Sequence, residues 1–239
     1  MPTKGGYKDD MMKKSLLHYL MFTCLMTVFC LSGCAATGIY SVDMSYNADY
    51  ATIPSYLKPD KKALQKIIGI AEFTDVRKID DPLVIGRVIE RNGMKMLVLP
   101  RHQKPTQAAA EGIRQYLRKA GFNVSGVGDR WDLKEENIAQ TANGTILLGG
   151  AIEEMEVECR KAFPTNTYKT KIRLTLYLSD TGSRKILYRS TVEATTSLEH
   201  VSFSEDRLGY QAGLALGDAI EKLFEKREVS QKILEVLSR

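Results

Sequence analysis

The chain has 239 residues, with 34 Lys+Arg against 29 Asp+Glu, three histidines and four cysteines. The +5 net charge is spread among interspersed charges of both signs. No basic stripe of the kind that neutralises phosphates stands out, so no nucleic-acid partner is expected. Beyond residue 34 only His102 and His200 remain, neither in a ligand-spaced motif, so no conventional metal site is expected.

At the beginning of the chain, Lys13 and Lys14 precede an apolar stretch over 16–31, and Ser32, Gly33 and Cys34 follow directly. A positive start, an apolar middle and small residues before a cysteine form the layout of a cleavable secretory signal. The stretch is about 16 residues long and contains His18, short of the ~20 residues a spanning helix needs. Leu31, Ser32, Gly33 and Cys34 resemble the lipobox of bacterial lipoproteins. That resemblance implies cleavage between Gly33 and Cys34, a diacylglyceryl group on the cysteine sulfur and acylation of the new amino terminus. Covalent lipid on Cys34 is then the one attached group expected, with no separate cofactor. A single acyl chain anchors marginally, and the three chains of such a cysteine meet the requirement for more than one. Ala35 stands where an aspartate would imply inner-membrane retention in enterobacterial sorting. The expectation is the outer membrane, facing the periplasm, with the inner membrane as the alternative. The first ten residues are superfluous before such a signal, which leaves Met1, Met11 and Met12 as candidate starts.

The expected organisation is a signal over 1–33, a lipidated flexible tether over 34–60, and a periplasmic α+β domain over 61–239. The tether is rich in Thr, Ser, Tyr and Asn, with Pro54 and Pro59 near its end. Its alternative is docking of Tyr40, Tyr46, Tyr50 and Tyr56 on the domain. Processing removes Cys24 and Cys30 and lipid consumes Cys34, so Cys159 has no partner for an internal disulfide. Alternation around Cys159 reads as a strand, with a half-buried structural cysteine favoured over a redox or catalytic thiol.

Residues 67–73 form a short apolar run suited to a buried strand. Apolar runs over 83–90 and 94–99 flank Arg91, Asn92 and Gly93, a strong hairpin signal because Asn and Gly both tolerate positive φ. Helical spacing of Ala109, Ile113, Tyr116, Leu117 and Ala120 predicts a helix over 106–120, stopped by Gly121. Phe122 to Val124 resumes as a strand. Residues 125–143 hold Gly126, Gly128, Trp131 and a short helical piece near 133–140, and read as the place for a binding loop. Strands over 145–162, 167–178 and 185–198 alternate as an antiparallel meander. Gly149 and Gly150 suggest a bulge or kink in the first of them. Ser202 or Ser204 caps a long helix to about Arg227, with a last helix over 229–237. The fold class is therefore α+β, a single domain whose mostly antiparallel sheet ends in a long meander, with helices packed on one face.

Gly209, Gly213 and Gly217 recur every fourth residue along the long helix and bare one edge of it. Three helical glycines cost roughly 2–3 kcal/mol against alanine, so something must approach closely. Packing on the domain's own sheet is one occupant, and a partner helix docking in the groove is the other. No nucleophile elbow, phosphate loop, paired-histidine motif or dinucleotide fingerprint occurs. Glu153, Glu154, Glu156 and Glu158 are the best carboxylates for catalysis, yet Glu154, Glu156 and Glu158 share one strand face and read as a solvated surface.

The order of lipobox, tether, strand, hairpin, helix, meander and C-terminal helix resembles the YajG-like lipoproteins. It is more distantly similar to the auxiliary lipoproteins of ABC-type transport systems. The resemblance is carried by residues 31–34, by Leu117 to Val124 and by the alternating stretch 168–178 with its following hairpin. The stretch 125–143 and the helix over 229–237 depart from that layout. The resemblance implies no enzymatic activity and no functional residue beyond the lipidated cysteine. Membrane attachment through lipid, with an envelope protein partner or self-association, is the expectation; a carrier of lipid or another hydrophobic ligand is the alternative. Metabolic labelling with a palmitate analogue should mark the chain, and Cys34→Ala should abolish the label.

Overall fold

The computed structural model describes residues Gly38–Arg239, one compact α+β unit. The signal segment, Gly33 and Cys34 lie outside the described residues. Three long strands, β7 (Ile146–Arg160), β8 (Asn166–Asp180) and β9 (Lys185–His200), form the expected antiparallel meander. Short strands join the free edge of β7 in parallel. β2 (Ile68–Glu72) pairs with its first residues, β3 (Thr74–Asp75) with its middle and β4 (Gly86–Ile89) with its end. Two wings extend this edge. β6 (Val124–Arg130) lies parallel to β2, β5 (Lys95–Pro100) antiparallel to β4, and β1 (Ile39–Val42) parallel to β5. The nine-stranded sheet is thus mixed, and the meander carries most of its ladder.

The β4–β5 turn forms as expected, but its geometry rests on one residue. Gly93 alone takes positive φ, at 83°, and its N–H donates to the Glu90 carbonyl. α1 (Pro105–Lys119) begins on a proline, whose missing N–H costs nothing at a first helical position. Gly121 at φ 99° ends it. α2 (Ile138–Thr141) is one short turn. α3 (Glu205–Glu225) is capped by Ser204, whose side chain accepts from the Arg207 N–H, and α4 (Arg227–Ser238) follows directly. Of the two serines, Ser204 is the cap because its extended backbone aims Oγ at the first turn.

α1 and α3 lie side by side on one face of the sheet, with Tyr116 stacked on Phe224 at 5.1 Å. Ile113, Leu117, Leu208, Leu216 and Ile220 meet Ile172, Leu174 and Leu176 of β8 in the core, all essentially inaccessible. On the opposite face, residues expected as a binding loop do two structural jobs. Residues 124–130 are edge strand β6, and Trp131 is fully buried with Ala71, Ile138 and Leu147 in a second small core. Its indole N–H donates to the Lys134 carbonyl at 2.9 Å, satisfying the polar end of a ring that is otherwise apolar.

The glycine pair in β7 is not where the strand bulges. The register slips between Ile152 and Glu154, leaving Glu153 as the extra residue. This slip lets Met155, Val157 and Cys159 continue the buried face of Ile146, Leu148 and Ile152, and turns Glu154, Glu156 and Glu158 outward. Gly149 and Gly150 instead admit aromatic rings. A Cβ on Gly149 would lie 2.8 Å from the Trp131 ring, and one on Gly150 would overlap both Phe73 and the Thr175 carbonyl. Gly150→Ala should therefore destabilise the domain by about 1–3 kcal/mol, read as a lowered urea midpoint at unchanged slope.

Candidate functional site

From Gly38 onward the segment is built into the fold, which corrects, for residues 38–60, the flexible tether expected over 34–60; residues 34–37 lie outside the described residues. Apolar side chains explain the difference: Val42, Met44 and Leu57 are 1%, 1% and 0% exposed, and Tyr46 is 9% exposed. Each such burial contributes about 1.5–3 kcal/mol towards offsetting the ordering of the intervening residues. Of the four tyrosines, Tyr40, Tyr46 and Tyr56 dock, whereas Tyr50 stays exposed. The segment follows α3 from end to end. At the helix start, the Ser41 N–H donates to Glu205 at 3.0 Å, and Arg101 donates to the Ser41 carbonyl at 2.6 Å. Midway, Lys119 of α1 donates to the Asp49 and Ala51 carbonyls. At the far end the Tyr56 hydroxyl donates to the Glu225 carbonyl at 2.6 Å, and Arg227 lies over its ring.

The occupant of the glycine edge follows from this path. A Cβ on Gly209 would meet the Asp43 carbonyl, one on Gly213 would lie 2.5 Å from the Ser45 oxygen, and one on Gly217 would lie 2.8 Å from the Tyr46 ring. The edge expected to receive the sheet or a partner helix is filled by the chain's own residues 43–46. A shallow groove of about 400 Å³ remains beside them, flanked by exposed Tyr50, Tyr210 and Leu214. The Tyr46 hydroxyl donates to Glu221 at 3.3 Å. Burial, with the adjoining carboxylates, pushes Glu221 above the ordinary carboxylate range despite the hydrogen bonds it accepts.

Where the segment enters the fold, four residues distant in sequence converge. Lys161 donates to Glu90 at 2.7 Å and to the Tyr40 hydroxyl at 2.8 Å, and Tyr40 in turn donates to Glu90 at 2.8 Å. Lys161 also stands 4.0 Å over the Phe203 ring, whose edge meets Tyr40. Burial pushes the Glu90 carboxyl up, yet its hydrogen bonds from Lys161 and Tyr40 prevail and hold it below its ordinary value. This clamp ties β1 to the β4–β5 turn and to the end of β7. No sequence signal marks it, since its members are scattered from residue 40 to residue 203.

The acidic run makes a charge ladder. Glu154 pairs with Lys171 and Arg173, which also reach Glu193 across β9, while Arg87 pairs with Glu156. Glu153, the bulged residue, accepts from Thr175 and faces Arg189. These carboxylates are matched by cations on the wet face of the sheet. His102 is exposed in the loop after β5. Cys159 is buried, and desolvation raises its thiol to about 11, far from the thiolate a reactive cysteine needs. Arg77 is satisfied by Asp75 and by the Pro82 and Val84 carbonyls, and so organises the loop between β3 and β4. Among the described residues no group of three or more His, Cys, Asp or Glu is placed to hold a metal, and no helix is long and apolar enough to cross a membrane.

No family model matches the sequence, and no curated relative matches it. Among solved structures the chain is similar to protein XCC0632 from Xanthomonas campestris, with 14% identity, 81% of this chain and 96% of that one covered, and a TM-score of 0.48. It is also similar to the PelC dodecamer from Paraburkholderia phytofirmans, with 13% identity, 72% and 93% coverage and a TM-score of 0.35. For lipoprotein GNA1162 from Neisseria meningitidis the values are 11%, 64% and 96%, and 0.28. Scores this low carry no function across, so the reading rests on the chain's own residues.

Two substitutions test the seam. Gly213→Ala would stabilise an open helix edge by about 1 kcal/mol; with Ser45 in place it should instead destabilise by about 1–3 kcal/mol and raise proteolysis within residues 43–60. Glu90→Gln should cost about 1–3 kcal/mol at neutral pH. Because the Glu90 pKa is lowered, its contribution is present above the ordinary carboxylate value and is lost as pH falls through the lowered one. Urea midpoints of wild type and variant should therefore converge in acid.

Proposed function

We propose that this protein is a non-enzymatic, lipid-anchored lipoprotein of the bacterial envelope, acting as a binding or accessory subunit of a transport or assembly system. The observation that carries this reading is the order Leu31, Ser32, Gly33, Cys34 followed at Gly38 by a folded domain. The layout shared with YajG-like lipoproteins supports the same reading, as does the pairing of the most obvious carboxylates with cations. Attachment at the outer membrane, facing the periplasm, is part of the proposal and rests on Ala35. The groove beside Tyr210 and Leu214 is the surface proposed for an envelope partner or a second copy. A carrier would need space between sheet and helices, and there Ile113, Leu117, Ile172, Leu174 and Leu216 already fill the layer.

Fractionation of cells making wild type and Cys34→Ala tests the anchor. Wild type should sediment with membranes, and the variant should appear in the soluble periplasmic fraction with an unchanged unfolding midpoint. Continued membrane association of the variant once its leader has been cleaved would sink the lipid-anchor reading.

A further inference from the structure

The β4–β5 turn, the β7–β8 loop and the loop after β9 lie at one end of the sheet. The register puts them there: Ile89 is level with Lys95 and Arg160, Arg160 with Thr167, and Asn166 with His200. β1 starts at this end too, because Ile39 is level with Leu97. Met94, Lys161 and Val201 line one shared depression. Large apolar side chains project from the tips around it: Phe163 is 85% exposed, Val201 70%, Ile39 58% and Met94 45%. Arg91 and Arg160 are exposed beside them, while the nearby carboxylate of Glu90 is held by Lys161 and Tyr40.

Chain length decides what faces this end. Gly38 follows Cys34 after three intervening residues, and four residue steps span at most about 14 Å. A cysteine whose acyl chains are buried in a bilayer therefore holds Gly38, and the tips beside β1, against the headgroups. We infer that this end of the domain is a lipid-facing surface. Phe163, Val201, Ile39 and Met94 enter the boundary between headgroups and acyl chains, and Arg91 and Arg160 meet anionic headgroups. The inference rests on lipidation of Cys34 and adds an orientation to it. The meander strands point away from the membrane, and the β8–β9 turn at Ser183 stands about 50 Å from it at ~3.3 Å per residue.

Depth-dependent fluorescence tests the orientation on the lipidated chain, purified from membranes and reconstituted in phosphatidylethanolamine–phosphatidylglycerol vesicles. Phe163→Cys and Ser183→Cys are each labelled with a polarity-sensitive dye; Cys159 is buried and Cys34 carries lipid, so the label is single. The dye at 163 should shift to the blue and lose about half its emission to lipids brominated near the acyl boundary, the depth at which interfacial segments lie, while the dye at 183 stays aqueous and unquenched. Aqueous emission at both sites in protein that floats with vesicles overturns the orientation and leaves the anchor standing. A blue-shifted dye at 163 that brominated lipid does not quench overturns it in favour of a second copy or another protein on this surface. Failure of the wild-type chain to float with vesicles or to take up the palmitate analogue overturns both readings.

Discussion

The backbone of residues 43–46 lies against an edge of α3 from which side chains have been removed at Gly209, Gly213 and Gly217. Those glycines weaken the helix in isolation, and the loss is recovered only when Asp43, Ser45 and Tyr46 fill the space. Burial of Met44 within the segment and of Val42 and Leu57 on either side makes the contact cooperative. β1 can pair with β5 because the segment behind it is held, and α3 keeps its position over β8 and β9 because the segment is clamped on its outer edge. A tether that is part of the fold also transmits force. With Cys34 lipidated as proposed, tension on that cysteine would act first on β1 and its clamp of Tyr40, Glu90 and Lys161.

β7 is the other organising element. One edge accepts β8 over nearly its whole length, and the other receives β2, β3 and β4 in turn. A straight strand of this length would rotate its apolar set out of the core on any register change. The bulge at Glu153 inserts one residue and so restores the buried face for Met155, Val157 and Cys159 while setting Glu154, Glu156 and Glu158 level with Arg173, Lys171 and Lys169 of β8. The acidic run is thus the outward half of a buried strand, matched across the sheet.

Charge is arranged differently at the two faces. On the wet face, exposed ion pairs such as those of Arg173 contribute little individually. At the entry clamp, Lys161 and Glu90 are largely shielded and share Tyr40, so each polar group depends on the others. The clamp shields the Lys161–Glu90 pair and leaves apolar tips outside with exposed Arg91 and Arg160, next to the point where the chain leads back to Cys34.

Much of the secondary structure was legible because it follows from local patterns. Alternation marked β7, β8 and β9, helical spacing marked α1 and α3, and Gly93 and Gly121 marked a turn and a stop. Leu31 to Cys34, read as resembling a lipobox, is likewise a contiguous stretch, and it lies outside the described residues. The sequence by itself also showed that something must approach the glycine edge, because three helical glycines in register have a cost that isolated residues cannot explain. What approaches it was decided by tertiary structure, since a polar stretch with two prolines looks like a tether until its few apolar residues find buried sites. The same holds for Gly149 and Gly150, read locally as a kink and used as seats for the Trp131 and Phe73 rings. It holds too for Tyr40, Glu90, Lys161 and Phe203, which meet only after the sheet has assembled. Local spacing constrains backbone conformation, whereas close approach and charge pairing depend on which distant segments the packed core brings together.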